Sequence, residues 1–364
     1  MKYDYLIVGA GFAGCVLAER LASQMQKKIL LIDKRPHIGG NAYDSVNEHG
    51  IRIHHYGPHI FHTNDEKVFS YLSQFTEWHP YEHRVMAFVN GKFVPMPVNR
   101  TTINSLFDMS FQTESEVTRF LDSEKENRLS IQNSEDVVVS KVGRRLYNLL
   151  YKGYTTKHWG VDPSQLAPSV CGRLPVRTNT DDRYFEDRFQ AMPLHGYSEM
   201  FNKMTENSLI AVEVNTDYND VPSSTFDQLI FTGPIDEYFN HIHGTLPYRS
   251  LRFEFETHDM EYFQQAAQIN FPNEHEYTRI TEFKHITGQH NSRTTIAKEY
   301  PVETGEPYYP VPNESNAALF RLYEKESEKL NKVRFVGRLA TYRYYNMDQV
   351  VAQSLKTFET IASE

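Results

Sequence analysis

The hydrophobic period changes three times along this chain, and each change marks a different kind of element. The first stretch, "YDYLIVGAGFAGCVLAERLASQ", is an apolar run of strand length, then a turn through Gly9, Gly11 and Gly14, then an amphipathic helix. A second apolar run, "KILLID", follows and ends at Asp33. From about 100 to 160 apolar residues recur every three or four positions, in "TESEVTRFLDSEKENRL" and "EDVVVSKVGRRLYNLLYKGYTTKHWG". That spacing predicts a helical module whose last turn displays Tyr151, Tyr154, Thr155 and Trp159, usable either as core or as a stacking surface for a base. Alternation returns in "LIFTGPIDEYF", "YRSLRFEFE", "EYTRITEF", "TIAKEYP" and "EPYYPVP", predicting an antiparallel sheet that presents Arg249, Arg279, Tyr308 and Tyr309. "NEHG", "DYNDVPSS" and "KHITGQHNSRT" read as loops, and no fixed-period repeat is present.

With 364 residues and 40% hydrophobic content, the chain supports two or three domains. A net charge of -9 excludes a general basic face, so nucleic acid and anionic membrane surfaces are not the expected partners, and any anion site must be local. Cys15 and Cys171 offer neither a disulfide framework nor a Cys/His metal pattern; no metal is expected, and a reducing compartment is. The N-terminus has no signal-peptide pattern and no apolar run reaches 18 residues, so the expectation is a soluble cytoplasmic protein without membrane insertion.

Three groups of residues bear on chemistry. Asp33 lies 19 residues past Gly14, the spacing of a dinucleotide-binding βαβ unit: the glycines let a pyrophosphate approach the backbone, and the acid accepts from a ribose hydroxyl. Gly39, Gly40 and Asn41 form a second stretch of approachable amides, a feature that resembles FAD enzymes of the glutathione-reductase-like class. "RIHHYGPHIFHT" holds His54, His55, His59 and His62 without ligands to complete a metal set, and reads as a bent loop, either structural or beside a cofactor. Finally, "FVGRLATYRYYNMDQ", with Arg338, Tyr342, Arg343, Tyr344 and Tyr345, and the irregular "CGRLPVRTNTDDRYFEDRFQAMP", with Arg173, Arg177, Arg183 and Tyr184, have the donors for a phosphate or carboxylate, or are solvated charge.

"GAGFAG", "DKRPHIGGNAY", "HYGPHIFHTND", "KGYTTKHWG", "TGPIDEYF", "YRSLRFE", "YTRITE", "KEYP", "EPYYPV" and "GRLATYRYYNMDQV" together resemble the bacterial UDP-galactopyranose mutases, in order and over nearly the whole chain. The resemblance implies an α/β fold: an FAD-binding Rossmann-like domain (1–78, 190–243, 315–364) interrupted by a helical-bundle domain (99–168) and an antiparallel sheet domain (79–98, 169–189, 244–314). It implies interconversion of UDP-galactopyranose and UDP-galactofuranose through a covalent bond between reduced-flavin N5 and sugar C1, without net redox, in a homodimer.

By the same resemblance, FAD falls to Gly9, Gly11, Phe12, Gly14, Asp33, Lys34, Gly39, Gly40, Asn41, His59, Arg338 and Asp348. The nucleotide falls to Tyr151, Tyr154, Thr155, Trp159 and Asn270, and the diphosphate to Arg173, Tyr184, Arg279, Tyr309 and Tyr344, with Arg249 and Tyr308 nearby. His59, Arg173, Arg279, Tyr344 and Asn346 are the expected catalytic group. Asn346 departs from the family's aspartate, Val336 and Thr341 from its Gly and Glu, and Pro58 stiffens the histidine loop. These departures bear on the sugar, for which dTDP-fucopyranose and UDP-N-acetylgalactosamine are alternatives. An amine-oxidase-like FAD oxidoreductase shares the N-terminal fingerprint but leaves the arginine and tyrosine set unexplained, and the intact glycine fingerprint with Asp33 argues against a non-catalytic protein on the same scaffold, like the Rab GDP dissociation inhibitors.

Overall fold

In the computed structural model, which describes residues 2–364, the strand Tyr3–Val8 is the centre of a five-stranded parallel sheet. Its order is Ile210–Val214, Ile29–Asp33, Tyr3–Val8, Phe226–Phe231, Val333–Phe335. The strand Phe226–Phe231, whose pattern reads like the later alternating strands although the family resemblance puts 190–243 in the Rossmann-like domain, is the parallel neighbour of the first strand. Its Leu229, Ile230 and Phe231 are all buried, as suits a strand covered on both faces. The helix Phe12–Met25 buries Cys15, Val16, Leu17 and Leu21 against this sheet, and the C-terminal helix Met347–Ser363 packs on that helix through Val351 and Leu355.

A seven-stranded sheet stands beside this layer, in the order Tyr309–Pro310, Tyr248–His258, Thr294–Val302, Arg279–Glu282, Gln268–Asn270, Val85–Val89, Lys92–Met96. It is mixed rather than antiparallel, because Gln268–Asn270 runs parallel to Val85–Val89. A parallel pair needs a long crossover, and here the whole helical module lies between the two strands, so no local pattern announces the pairing.

The module contains Arg100–Phe107, Glu114–Glu124, Ser134–Leu146 and Gly153–Trp159. Thr113 and Glu116 cap the second helix reciprocally, and Asn133 caps the third on the Asp136 amide. Its core is shared with the sheet: Val85, Val89 and Val94 join Ile103, Val117, Val138 and Leu146 in one cluster. The helices therefore do not close a core of their own. "KHITGQHNSRT" is not all loop, since Phe283–Thr287 is a short helix. Its Lys284 is buried and donates to the carbonyls of Glu261 and Arg293, a tertiary use of a polar residue that local polarity disguises.

Among the described residues no helix is long and apolar enough to cross a membrane.

Candidate active site

The two glycine turns meet backbone to backbone. A Cβ on Gly40, whose φ is +54°, would stand 2.9 Å from the Gly11 Cα, and one on Gly14 would collide with the Gly9 carbonyl oxygen. What they leave open is a cavity of about 530 Å³ at the C-terminal ends of the parallel strands, where this class of sheet takes its ligands. Gly9, Gly11, Phe12, Asp33, Lys34, Gly39, Gly40, Asn41, His59, Tyr308 and Arg338 line it. Gly14 packs beneath it instead. Asp33 holds both adjoining turns, accepting from the Ala10 amide at 2.8 Å and the Arg35 amide at 2.9 Å. Asp348 does not line the cavity; it accepts from the Thr63 hydroxyl at 2.9 Å, and burial raises its pKa.

Sequence reasoning missed the opposite wall, made by Thr216, Tyr218, Asn219, Glu237 and Tyr238. These residues follow the strands Ile210–Val214 and Phe226–Phe231, so a correct parallel assignment would have found them. It also missed Glu306, whose carboxylate takes Arg35 Nε at 2.9 Å and joins the glycine-turn layer to the sheet beside the cavity mouth.

His59 is neutral. Its Nδ1 lies 2.9 Å from the Gly57 carbonyl, which only accepts, so Nδ1 carries the proton and Nε2 is left as an acceptor. Burial brings its pKa down to about 3. This fits an orienting acceptor at the cavity better than a proton donor. His54 accepts the His59 amide through Nδ1 at 3.1 Å and buttresses the turn.

Across the seven-stranded sheet, Asn270, Arg279 and Glu299 are direct cross-strand neighbours on one face. Arg279 Nε and Nη2 donate to Glu299 Oε2 at 2.8 and 2.6 Å. Burial opposes the guanidinium charge, but Glu299 outweighs it and holds the pKa well above the usual value. Gln268 donates to Asn270 Oδ1 at 2.8 Å, which leaves the Asn270 amide nitrogen as the free donor. Arg173, at the solvent edge, donates from Nη2 to the Tyr344 hydroxyl at 3.1 Å and lies 4.8 Å from that ring's centroid. Tyr184 and Tyr344 both lie in the field of Arg173 and Arg279. Burial raises the Tyr344 pKa, yet Arg173 and Arg338 outweigh it, so this phenol is a better donor than an ordinary one. Arg338 faces the glycine-lined cavity and also Tyr309 and Tyr344, 5.4 and 5.7 Å from their centroids.

The helix Gly153–Trp159 closes this site. Trp159 meets Tyr344 edge to face at 5.4 Å, and Tyr154 stands parallel to His158. Thr155 is buried 3.6 Å from Cys171 Sγ, and Tyr151 belongs to the shared core rather than to a displayed surface. Arg249 is spent on the helix end: its Nε donates to the His158 carbonyl at 3.0 Å and its Nη2 to that of Lys157 at 3.4 Å. Arg177 and Arg183 pair locally with Glu186 and Asp181. Asn346 is exposed at the start of the C-terminal helix, its amide donating to Gln349 Oε1 at 2.9 Å. Arg343 is also exposed.

Against known proteins, the UDP-galactopyranose mutase family profile matches residues 149–344, and an NAD(P)-binding Rossmann-like domain profile matches residues 7–75. A probable UDP-galactopyranose mutase of Klebsiella pneumoniae is 38% identical, covering 99% of this chain and 95% of its own length. This chain belongs to the UDP-galactopyranose mutase family. Members of the family are isomerases, and so is this one. A dTDP-fucopyranose mutase of Escherichia coli is 34% identical over 96% of each chain. In fold, the chain matches a crystal structure of reduced UDP-galactopyranose mutase with a TM-score of 0.79 at 17% identity, covering 100% of this chain and 94% of that one. It also matches a putative protoporphyrinogen oxidase with a TM-score of 0.70 at 13% identity, covering 99% of each chain.

Proposed function

We propose that this isomerase interconverts the pyranose and furanose forms of a nucleotide sugar, with UDP-galactose as substrate and reduced FAD in the glycine-lined cavity. The observation that carries this reading is the convergence of Arg173, Arg279, Tyr184, Tyr309 and Tyr344 beside that cavity, with Arg338 facing both. FAD fits the chain's own residues: two glycine turns bare the backbone amides, Asp33 lines the wall, and Arg338 supplies a cation. Bound and reduced, it would supply a nucleophilic nitrogen to hold the anomeric carbon while the sugar ring is rebuilt.

The chain's residues do the rest. Ring contraction with the nucleotide retained requires the anomeric C–O bond to break and reform, so a diphosphate must be stabilised as it leaves and kept in place to return. Arg279, held rigid by Glu299, and Arg173 meet that charge with guanidinium forks. The neutral hydroxyls of Tyr184, Tyr309 and Tyr344 add donors without adding charge to balance. His59 offers Nε2 as an acceptor that orients a hydroxyl or a ring N–H.

The relative acting on dTDP-fucopyranose gives the second reading, because the arginine and tyrosine set recognises a diphosphate whichever sugar it carries. Chromatography of UDP-galactopyranose, dTDP-fucopyranose and UDP-N-acetylgalactosamine after incubation with oxidised or dithionite-reduced enzyme separates the two. Furanose product from UDP-galactose with reduced enzyme alone is the expected result. Turnover of the fucose nucleotide in its place would reassign the sugar, and no product from any substrate would reject the mutase reaction.

A further inference from the structure

His158 has no part in the chemistry described so far. It lies buried on the helix Gly153–Trp159, with ring centroids 5.9 Å from Tyr154 and 5.4 Å from Tyr309. Its Nδ1 is 4.0 Å from Glu299 Oε1, and among the described residues both atoms are buried without a hydrogen-bond partner. Two orphaned polar atoms facing one another in an interior need an explanation. The gap is too long for a hydrogen bond. A closure of about 1 Å would bring the pair within hydrogen-bond reach.

The charges around the imidazole say when that closure becomes favourable. Arg279 faces it from the strand Arg279–Glu282, Glu299 from Thr294–Val302, Arg249 from Tyr248–His258, and Arg173 from the segment after the short helix Ser169–Gly172. The phenols of Tyr154 and Tyr309 complete the surroundings, and the neighbouring Lys157 is turned away onto the His275 and Tyr277 carbonyls. Burial first, and then Arg279, Arg173 and Arg249, hold the His158 pKa well below its ordinary value. Arg249 is committed to helix carbonyls. It keeps its charge there, so Arg173, Arg279 and Arg249, less the charge of Glu299, bear on the imidazole until the two negative charges of a sugar-nucleotide diphosphate offset them.

We propose that His158 takes up one proton from solvent when a diphosphate occupies the Arg173–Arg279 site, and that its Nδ1–H then closes onto Glu299 Oε1. The negative charges of the ligand favour the proton, and the new hydrogen bond fixes the carboxylate that positions the Arg279 fork. His158 is thus a positioning residue, and the inference rests on the diphosphate reading above.

Calorimetric titration of the oxidised holoenzyme with UDP-galactose, and separately with dTDP-galactose, tests this in buffers of differing ionisation enthalpy. Neither ligand has a diphosphate group that titrates near neutrality, so net proton uptake belongs to the protein. Expected is uptake of a substantial fraction of one proton at pH 6.5, with affinity strengthening as pH falls from 7.5 to 6, by up to about tenfold per unit. His158→Gln should bind with the uptake abolished and the pH slope flat. Glu299→Gln, which keeps the imidazole and removes the anion it answers to, should lose the uptake too, so the test does not depend on one variant folding. Binding without uptake in the unaltered protein, or uptake surviving in either variant, would overturn the proposal. If neither ligand binds the unaltered protein, the diphosphate reading falls and this inference with it.

Discussion

Arg279 and Glu299 form a pair whose value lies in geometry rather than in charge alone. Glu299 Oε2 holds both Nε and Nη2, which aims the remaining edge of the guanidinium away from the carboxylate. Lysine at 279 would preserve the charge that Glu299 needs and lose the planar fork. Arg279→Lys should therefore retain the bound cofactor while kcat/KM falls about 10²-fold or more. Steady-state kinetics beside the visible absorption spectrum checks this, and near-normal turnover would remove Arg279 from the diphosphate site. Gly14 makes the complementary point for the cofactor. A methyl group there strikes the Gly9 carbonyl, so Gly14→Ala must displace the turn under the cavity. The variant should purify with little or no cofactor, and a full complement of FAD by absorbance would contradict that. Gly14 was legible in the spacing of the glycine turn, whereas the place of Arg279 at a diphosphate is what the family resemblance implies. Arg249 was not legible: its pattern resembles that of Arg279, but its guanidinium ends on two helix carbonyls.

That contact belongs to the scale of the element. The helix Gly153–Trp159 is one wall of the site and continues directly from the π-helical turn Tyr147–Lys152. Gly160, in the left-handed conformation, ends it, and Arg249 satisfies carbonyls of its last turn. Lys157 ties it to the 271–277 hairpin, where burial lowers the lysine pKa to about 8. Arg249→Met should leave those carbonyls unpaired at a cost of about 1–3 kcal/mol. The consequence to look for is a raised KM for the nucleotide sugar with kcat little changed; an unchanged KM would show that the helix holds its place without the arginine. The C-terminal stretch shows the same dependence on tertiary context. Tyr342 adopts φ +48° and donates its hydroxyl to the Pro247 carbonyl, while the next residue, Arg343, stands exposed and Tyr344 enters the site. A side chain in the left-handed region costs energy that surrounding contacts must offset. Spacing alone could not say which of the two arginines in the stretch faces inward.

At the scale of the molecule, the buried histidines make stability depend on acid. Burial lowers His54 to about 4 and His83 to about 3, and both are almost wholly inaccessible. As pH falls below the unfolded value near 6.5, the unfolded chain binds protons that the native chain refuses. Stability is therefore complete above that value and is lost progressively on acidification, down to about 4 for His54 and about 3 for His83. Each group costs about 1.4 kcal/mol per pH unit within its window. Urea midpoints should drop steeply between pH 6.5 and 4.5, ahead of the carboxylates, and a flat profile there would show that these imidazoles are protonated in the native state.

The sequence by itself determined the local chemistry: the glycine turns with Asp33, the helical period, the alternation of the later strands, and the residue types an anion site requires. These are written in spacing, because a tight turn, a helix face and a strand face each impose a short repeat on neighbouring positions. Only the tertiary structure decided that Gln268–Asn270 pairs parallel with Val85–Val89 and that helices and sheet share one core. It also decided that Arg173 meets Tyr344 across 171 positions, and that His158 and Glu299 face each other without a bond. Such contacts depend on where distant segments come to rest, and a buried charge or an orphaned nitrogen leaves no mark on the residues beside it in the chain.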